Sequence, residues 1–400
     1  MKKRSVAFSI LIVVLIALTI WVVYSLFVQR NVLGVRTGFE GHTLWDWLEL
    51  LVVPAILAFS ALWFNQAART RAQKLATDQQ REESLQNYLD KMAELLLEQE
   101  LAKKKDHLED PVVDVAQVRT ITTLRILDTD RKNILFQFLR DSNLSDFILK
   151  EVSLVGADLS RTNMYNVCLS GSDLSEADLS GANLNKADLS KADLTKANLI
   201  RVSLGRANLR EAVLDAADLR WAWITNADLR EASLVGTLFD HQSADLYKVV
   251  LEGTDLRKAD LRGCFMREAD LIGANLRGAD LRGAILHKAH LTNADLFMTK
   301  LPNADLSKAD LFGATLNKAD LSGSDLNRSD LREANLRETD LRGANLLRSK
   351  LDGASLNNAK YSNSTQWPSG FNPEEAGAEL FQLSGKDEQK PDEQNDSAYK

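Results

Sequence analysis

Between residues 142 and 361 the chain repeats itself every five residues, and that period constrains its fold more than any other feature. The unit reads Ala-(Asp/Asn)-Leu-x-x, as in Ala157-Asp158-Leu159, Ala177-Asp178-Leu179 and Ala187-Asp188-Leu189. The register holds from Leu144 to Phe239 and slips by two residues at Asp240–Ala244. It resumes at Leu246 and runs to Tyr361, roughly 44 units with one break at 240–245. An α-helix cannot use this pattern, because an apolar residue every fifth position walks around the cylinder without forming a stripe. A flat strand cannot use it either, since an odd period sends successive leucines to opposite faces. Only a chain that turns a corner within every unit keeps each leucine (position i) and its small i−2 neighbour inward. Gly171, Gly181, Gly263 and Gly313 all fall at i+2, which marks that slot as the corner.

On these residues the chain resembles the pentapeptide-repeat family over a little more than half its length. The resemblance implies a mainly β fold, a right-handed quadrilateral β-helix with four units per coil and the i and i−2 residues filling its interior. About eleven coils stacked at about 4.8 Å would make a rod of roughly 50 Å. The i−2 residue must stay small or the axis is overpacked, and departures such as Thr237 and Cys264 do stay small.

Upstream, residues 1–65 read as a transmembrane hairpin. Val6–Val28 is an uncharged apolar run long enough to cross a hydrocarbon core as a helix. A cleaved signal peptide fits less well, because the run is long and no small-x-small site follows Trp21, Tyr24 and Phe27. A second span is expected over Leu44–Phe64, with Trp45, Trp47 and Trp63 at its ends as interfacial anchors and Pro54 inside it. Lys2, Lys3 and Arg4 precede the first span, and Arg69, Arg71 and Lys74 follow the second. The positive-inside rule then sets both termini and the repeats in the cytoplasm.

Residues 66–141 read as a helical neck and N-terminal cap. Leu85, Leu89, Met92 and Leu96, widened by Tyr88 and Leu95, form an apolar stripe. Two heptads are compatible with a coiled-coil homodimer or with a helix packed on its own protein, and the second reading is favoured. After an interruption at Pro111, two short helices are expected, one over about Val115–Leu127 and one capped near Asp130. They are placed to cover the first open edge of the solenoid. Residues 362–400 read as a C-terminal cap, built on Trp367 and Phe371, followed after about Leu383 by a Gln-, Asp-, Glu- and Lys-rich tail expected to be disordered.

The chemistry-bearing residues are sparse. Cys168 and Cys264 are too few and too far apart for a disulfide framework or a zinc site. His287 and His290 form an H-x-x-H pair with no third ligand, and neither a phosphate loop nor a nucleophile elbow is present. No catalytic, cofactor or metal residue is therefore assigned, and an enzyme is not expected. The net charge of −7 gives no basic footprint for nucleic acid. The i−1 aspartates read as a solvated slot. One irregular region stands out: Trp221, Trp223, His241, Tyr247, Val249 and Val250 surround the two-residue insertion at outward or irregular positions. They are either a partner patch or rings packed under the inserted loop.

The expected role is a membrane-tethered, non-enzymatic scaffold offering flat faces to a cytoplasmic protein, as the resemblance to membrane-bound cyanobacterial members implies. Assistance in envelope or glycolipid deposition is a related alternative. The rival is mimicry of duplex DNA toward gyrase, also implied by some relatives. It needs a strongly negative rod, whereas acids and bases nearly cancel here, as in Asp270/Arg267 or Asp280/Arg277.

Overall fold

The five backbone amides of each repeat find five different acceptors, and this bookkeeping is the fold. In the unit Ser172–Glu176, Ser172 N donates to Leu169 O (3.1 Å), closing a β-turn with the unit before. Asp173 N donates to Val152 O one coil back (2.9 Å), Leu174 N to Asp193 O one coil on (2.7 Å), and Glu176 N to Thr195 O (2.9 Å). The remaining amide, Ser175 N, is met by the side chain of Asp173, whose Oδ1 accepts at 3.0 Å. The same bond recurs in Asp178–Ser180, Asp245–Tyr247, Asp305–Ser307 and Asp320–Ser322. Aspartate or asparagine at i−1 is thus an Asx turn that supplies the acceptor the ladder lacks. Solvation of an outward slot does not account for it, which corrects the reading from sequence.

The computed structural model describes residues 44–104, 109–239 and 244–381, the side chains of 44–53 excepted. Two compact units divide the chain, Met1–Asp78 and Gln79–Lys400. In the second, parallel bridges join residues twenty apart, from Ser153↔Asp173 to Asp340↔Lys360. Four pentads therefore make one coil, as expected. At the insertion the spacing becomes 22 (Trp223↔Asp245, Leu238↔Asp260) and then returns to 20 (Asp245↔Phe265). The two extra residues are absorbed at one corner without breaking the ladder; residues 240–243, including His241, lie outside the described residues.

The leucine and i−2 slots are buried along the solenoid up to the half-buried Ala354 near its end; Leu276, Ala279, Leu306 and Cys264 are fully inaccessible. Threonine or serine at i−2 is accommodated because its hydroxyl donates to a leucine carbonyl, as Thr237 does to Leu234 O (2.8 Å). The corner slot i+2 carries positive φ in glycines, and equally in Glu176 (58°), Lys186 (59°) and Lys308 (61°). A turn with positive φ at its third residue is required at every corner. The left-handed cost of about 1–2 kcal/mol for a non-glycine residue is offset by the ladder.

Both ends of the solenoid are closed. Helix α1 (Leu44–Glu98) is followed by a 3-10 turn (Leu101–Lys104), α2 (Pro111–Ile126) and α3 (Thr129–Asp141). Pro111 starts α2 instead of interrupting the chain, standing behind Asp110, whose carboxylate accepts from Val112 N. The cap of α3 is Asp128, not Asp130. Cap side chains take up the first coil's unpaired edge. Asn163 N donates to Asn133 Oδ1 (2.6 Å), Arg140 to Asn163 O (2.9 Å), Thr129 to Ser160 O, and the buried Lys132 to Asp158 O. Burial lowers the Lys132 pKa. The neck stripe is consumed by the same cap: Leu85, Tyr88 and Met92 are buried, Tyr88 stacks edge-on against Phe138 and shares a hydrogen bond with Thr120 (2.9 Å). The helix packs on its own protein, the reading favoured from sequence; a coiled coil through this stripe is not supported, because the apolar surface it would use is already covered by α2 and α3. At the other end, β1 (Lys360–Tyr361) pairs in parallel with β2 (Glu379–Leu380), and Trp367 lies between Tyr361 and Phe371.

The expected transmembrane hairpin is not found among the described residues, where no helix is long and apolar enough to cross a membrane. The first expected span, 6–28, lies outside them. The second falls in α1, where Asp46 and Glu49 interrupt the apolar run. Ile56, Leu57, Phe59, Leu62, Trp63 and Phe64 are all exposed there.

Candidate interaction face

A four-sided coil sorts outward side chains into four faces, each with its own row of i−1 residues. The third face carries Asn163, Asn183, Ser203, Trp223, Asp245 and Phe265, then Ile285, Asp305 and Asp325, on successive coils. Trp223 is 62 % exposed and Phe265 37 %. With Ile285 they replace the Asx-turn residue, so Thr225, Arg267 and His287 lose the side-chain acceptor that most i+1 amides have. A local rule given up in favour of exposed apolar surface marks a place where something other than folding is served.

Two of the expected residues stand beside this row. Tyr247, at i+1 of the Asp245 unit, is 37 % exposed. Trp221 occupies the corner between the second and third faces at φ +64°, with the Arg201 guanidinium of the preceding coil 5.7 Å from its ring. Trp221, Trp223 and Tyr247 thus lie on or at the edge of one face, on adjacent coils. Val249 does not join them, being fully buried in an i−2 slot, and Val250 faces outward on the fourth face. Phe265 and Ile285 were missed from sequence. Counting twenty residues onward from Asp245 finds both.

The corner joining the third face to the fourth is cationic. Its i+2 slots hold Lys248, Glu268, Lys288, Lys308, Arg328 and Arg348 on successive coils. Glu268 is shared by Lys248 (3.4 Å) and Lys288 (3.8 Å), and the three form part of a shallow cavity of about 480 Å³ that also includes His290. Lys308, Arg328 and Arg348 form no ion pair with a described residue, and all three are exposed.

On several coils of the second face, charge is neutralised in place. Arg220 folds onto Asp218, Arg262 onto Asp260, Arg282 onto Asp280 and Arg342 onto Asp340, at 2.6–2.7 Å. Arg277 pairs with Asp295 (3.0 Å), not with Asp280 as its sequence position suggested. The Arg332 guanidinium and the Lys350 ammonium beside Asp330 hold its carboxyl down to about 2. Among the described residues no group of three His, Cys, Asp or Glu side chains is placed to hold a metal. His287 is hydrogen-bonded to Ser307 (2.8 Å), and burial pushes the Cys168 thiol up.

Solved structures similar to the chain include HetL of the cyanobacterium Nostoc sp. strain PCC 7120, described as a pentapeptide repeat protein involved in heterocyst differentiation regulation. It is 32 % identical, over 55 % of this chain and 94 % of that one, with a TM-score of 0.25. The pentapeptide repeat protein Rfr23 of Cyanothece 51142 is 33 % identical over 23 % of this chain and 63 % of its own, with a TM-score of 0.23. QnrB1, a plasmid-mediated fluoroquinolone resistance protein, is 16 % identical over 58 % of this chain and 89 % of its own, at the same TM-score. No curated protein matches the sequence. The family model for pentapeptide repeats matches in overlapping copies across residues 139–363, more than half of the chain. With coils of four pentads, Asx turns at i−1 and a leucine-filled axis, this chain belongs to the pentapeptide-repeat family and takes its right-handed β-helical fold.

Proposed function

We propose that the protein is a membrane-tethered, non-enzymatic scaffold whose solenoid is presented to a cytoplasmic protein partner. The observation that carries the reading is the third face, where Trp223, Phe265 and Ile285, on three of four successive coils, stand outward in slots that hold aspartate or asparagine in most other units. An exposed aromatic in such a row contributes nothing to the solenoid's interior, and burial of such residues against a partner is the usual source of interface affinity. Pentapeptide-repeat proteins are in general structural or protein-binding. The solenoid offers broad surface and, among the described residues, a shallow cavity.

The tether is supported by the apolar run Val6–Val28 and by the exposed large side chains of 56–64. Retention of the full-length chain in the membrane pellet after alkaline carbonate extraction tests it. Release into the supernatant refutes it. Mimicry of duplex DNA is disfavoured by the in-place Asp–Arg forks, which remove the continuous negative charge it requires.

A photo-crosslinking residue in place of Trp223, activated in native membranes, tests the binding role. A discrete adduct, lost in the Trp221→Ser/Trp223→Ser double variant of the same chain crosslinked through Phe265, supports it. Absence of any adduct from both positions rejects it.

A further inference from the structure

The third face and its cationic corner run side by side but not in step, and the offset describes an occupant. The apolar row spans the coils of Trp223, Asp245, Phe265 and Ile285. The corner is neutralised over much of that stretch, where Glu268 sits between Lys248 and Lys288. Below Ile285 the row becomes polar, with Asp305 and Asp325, and the corner loses its acid: Lys308, Arg328 and Arg348 follow without an ion pair among the described residues. From Trp223 to Arg348 is six coil steps, roughly 29 Å, or roughly nine residues of extended chain. Resting on the protein-binding reading above, we propose that this strip seats one extended segment of a partner protein, apolar at one end against Trp223, Phe265 and Ile285, and acidic at the other along Lys308, Arg328 and Arg348.

Charge separates this occupant from the alternatives. A second copy laid on the same face by a two-fold axis would set the cationic corner against the opposite corner at the same level or, antiparallel, against that same corner reversed. At the same level the opposite corner holds Asn303, Gly323 and Gly343, and reversed on their own corner the cations meet other cations or Glu268, which Lys248 and Lys288 already share, so neither arrangement supplies an acidic run for Lys308, Arg328 and Arg348. A nucleic-acid strand would find aromatic platforms and cations, but its phosphates would also meet Asp245, Asp305 and Asp325 on the same face. A protein segment can place backbone or side-chain donors over those carboxylates and acids over the cations.

The test uses the full-length chain and two fluorescein-labelled nonapeptides, Phe-Ser-Leu-Ser-Phe-Glu-Glu-Glu-Glu and its reverse, in fluorescence anisotropy at two salt concentrations. One of the two is expected to bind, more weakly at high salt. Affinity should fall at least about tenfold in Lys308→Glu/Arg328→Glu/Arg348→Glu, and likewise in Trp223→Ser/Phe265→Ser. Far-UV circular dichroism of each variant, matching that of the parent, shows that the solenoid is intact; the exposed positions of all five residues make that the expected result. Failure of both peptides to bind, binding that neither variant weakens, or tighter binding of a twelve-residue oligo-dT or of phosphatidylserine vesicles overturns the proposal. A partner adduct at Trp223 together with peptide indifference to the three cations would sink this inference and leave the scaffold reading standing.

Discussion

Replacing Asp320 with alanine removes one hydrogen bond and little else, and so isolates what the i−1 acid contributes. Asp320 Oδ1 accepts from Ser322 N at 3.0 Å, and Asp320 is not part of an ion pair among the described residues. Its backbone stays in the ladder: Leu301 N donates to Asp320 O at 2.7 Å, a bond that does not involve the side chain. The lost bond leaves a partly exposed amide that water can reach, so the cost should be near the middle of the net range, about 1 kcal/mol. By that figure the local opening equilibrium rises about fivefold, and amide exchange in peptides spanning residues 318–326 should quicken by the same factor. Asparagine keeps the acceptor, as Asn345 does for Leu347 N at 3.1 Å, so Asp320→Asn should exchange at close to the parental rate. Equal acceleration in the alanine and asparagine variants would show that the charge matters and the Asx bond does not. No acceleration in either would refute the amide bookkeeping.

Other perturbations probe different terms. Leu276→Asp places a carboxylate in the dry axis, and the cooperative melt of the solenoid should be lost, because burying the group costs several kcal/mol; an unchanged melt followed by circular dichroism would contradict a leucine-filled interior. Gly278 has φ +66° and open space where a Cβ would sit, so Gly278→Ala should cost about 1 kcal/mol from backbone strain alone, read as a lowered denaturant midpoint. Acid should weaken the solenoid through carboxylates held down in the fold. Asp330 is depressed to about 2 by Arg332 and Lys350, and Asp228 is lowered by Arg230. Their contribution is fully present above the unfolded carboxylate pKa of about 3.9 and is lost as pH falls from about 4 to about 2; Arg332→Ala should flatten the denaturant midpoint over that window, and an unaltered pH profile would count against the pairing.

The coil was legible in the sequence because each pentad obeys the same two demands, an apolar residue facing inward and a corner two residues later. Even the slip at 240–245 could be placed, since the leucine phase is reset there. What was not legible is what depends on the neighbouring coil. Asp at i−1 looks like any solvated acid until the unpaired i+1 amide is counted, and that amide is visible only once the ladder has claimed the others. Phe265 and Ile285 were missed because successive members of their row, Trp223, Asp245, Phe265 and Ile285, lie 22, 20 and 20 residues apart. In the neck, Leu85, Tyr88 and Met92 could be read as a stripe, but its cover came from α2 and α3. A hydrophobic period reports that a face is buried, not what buries it. Pro111 was misplaced for a simpler reason: behind Asp110 it begins a helix, and the Asp-Pro pair carried that signal.

Cysteine pairs crosslinked with a short bis-maleimide in the full-length chain test the coil most directly. Asp305 and Asp325 are twenty residues apart and bridge in adjacent coils, about 4.8 Å between strands. Asp305 and Thr315 are only ten apart but lie on opposite faces with the leucine axis between them. The Asp305→Cys/Asp325→Cys pair should crosslink readily and the Asp305→Cys/Thr315→Cys pair should not; crosslinking that favours the pair nearer in sequence would mean that four pentads do not make a turn.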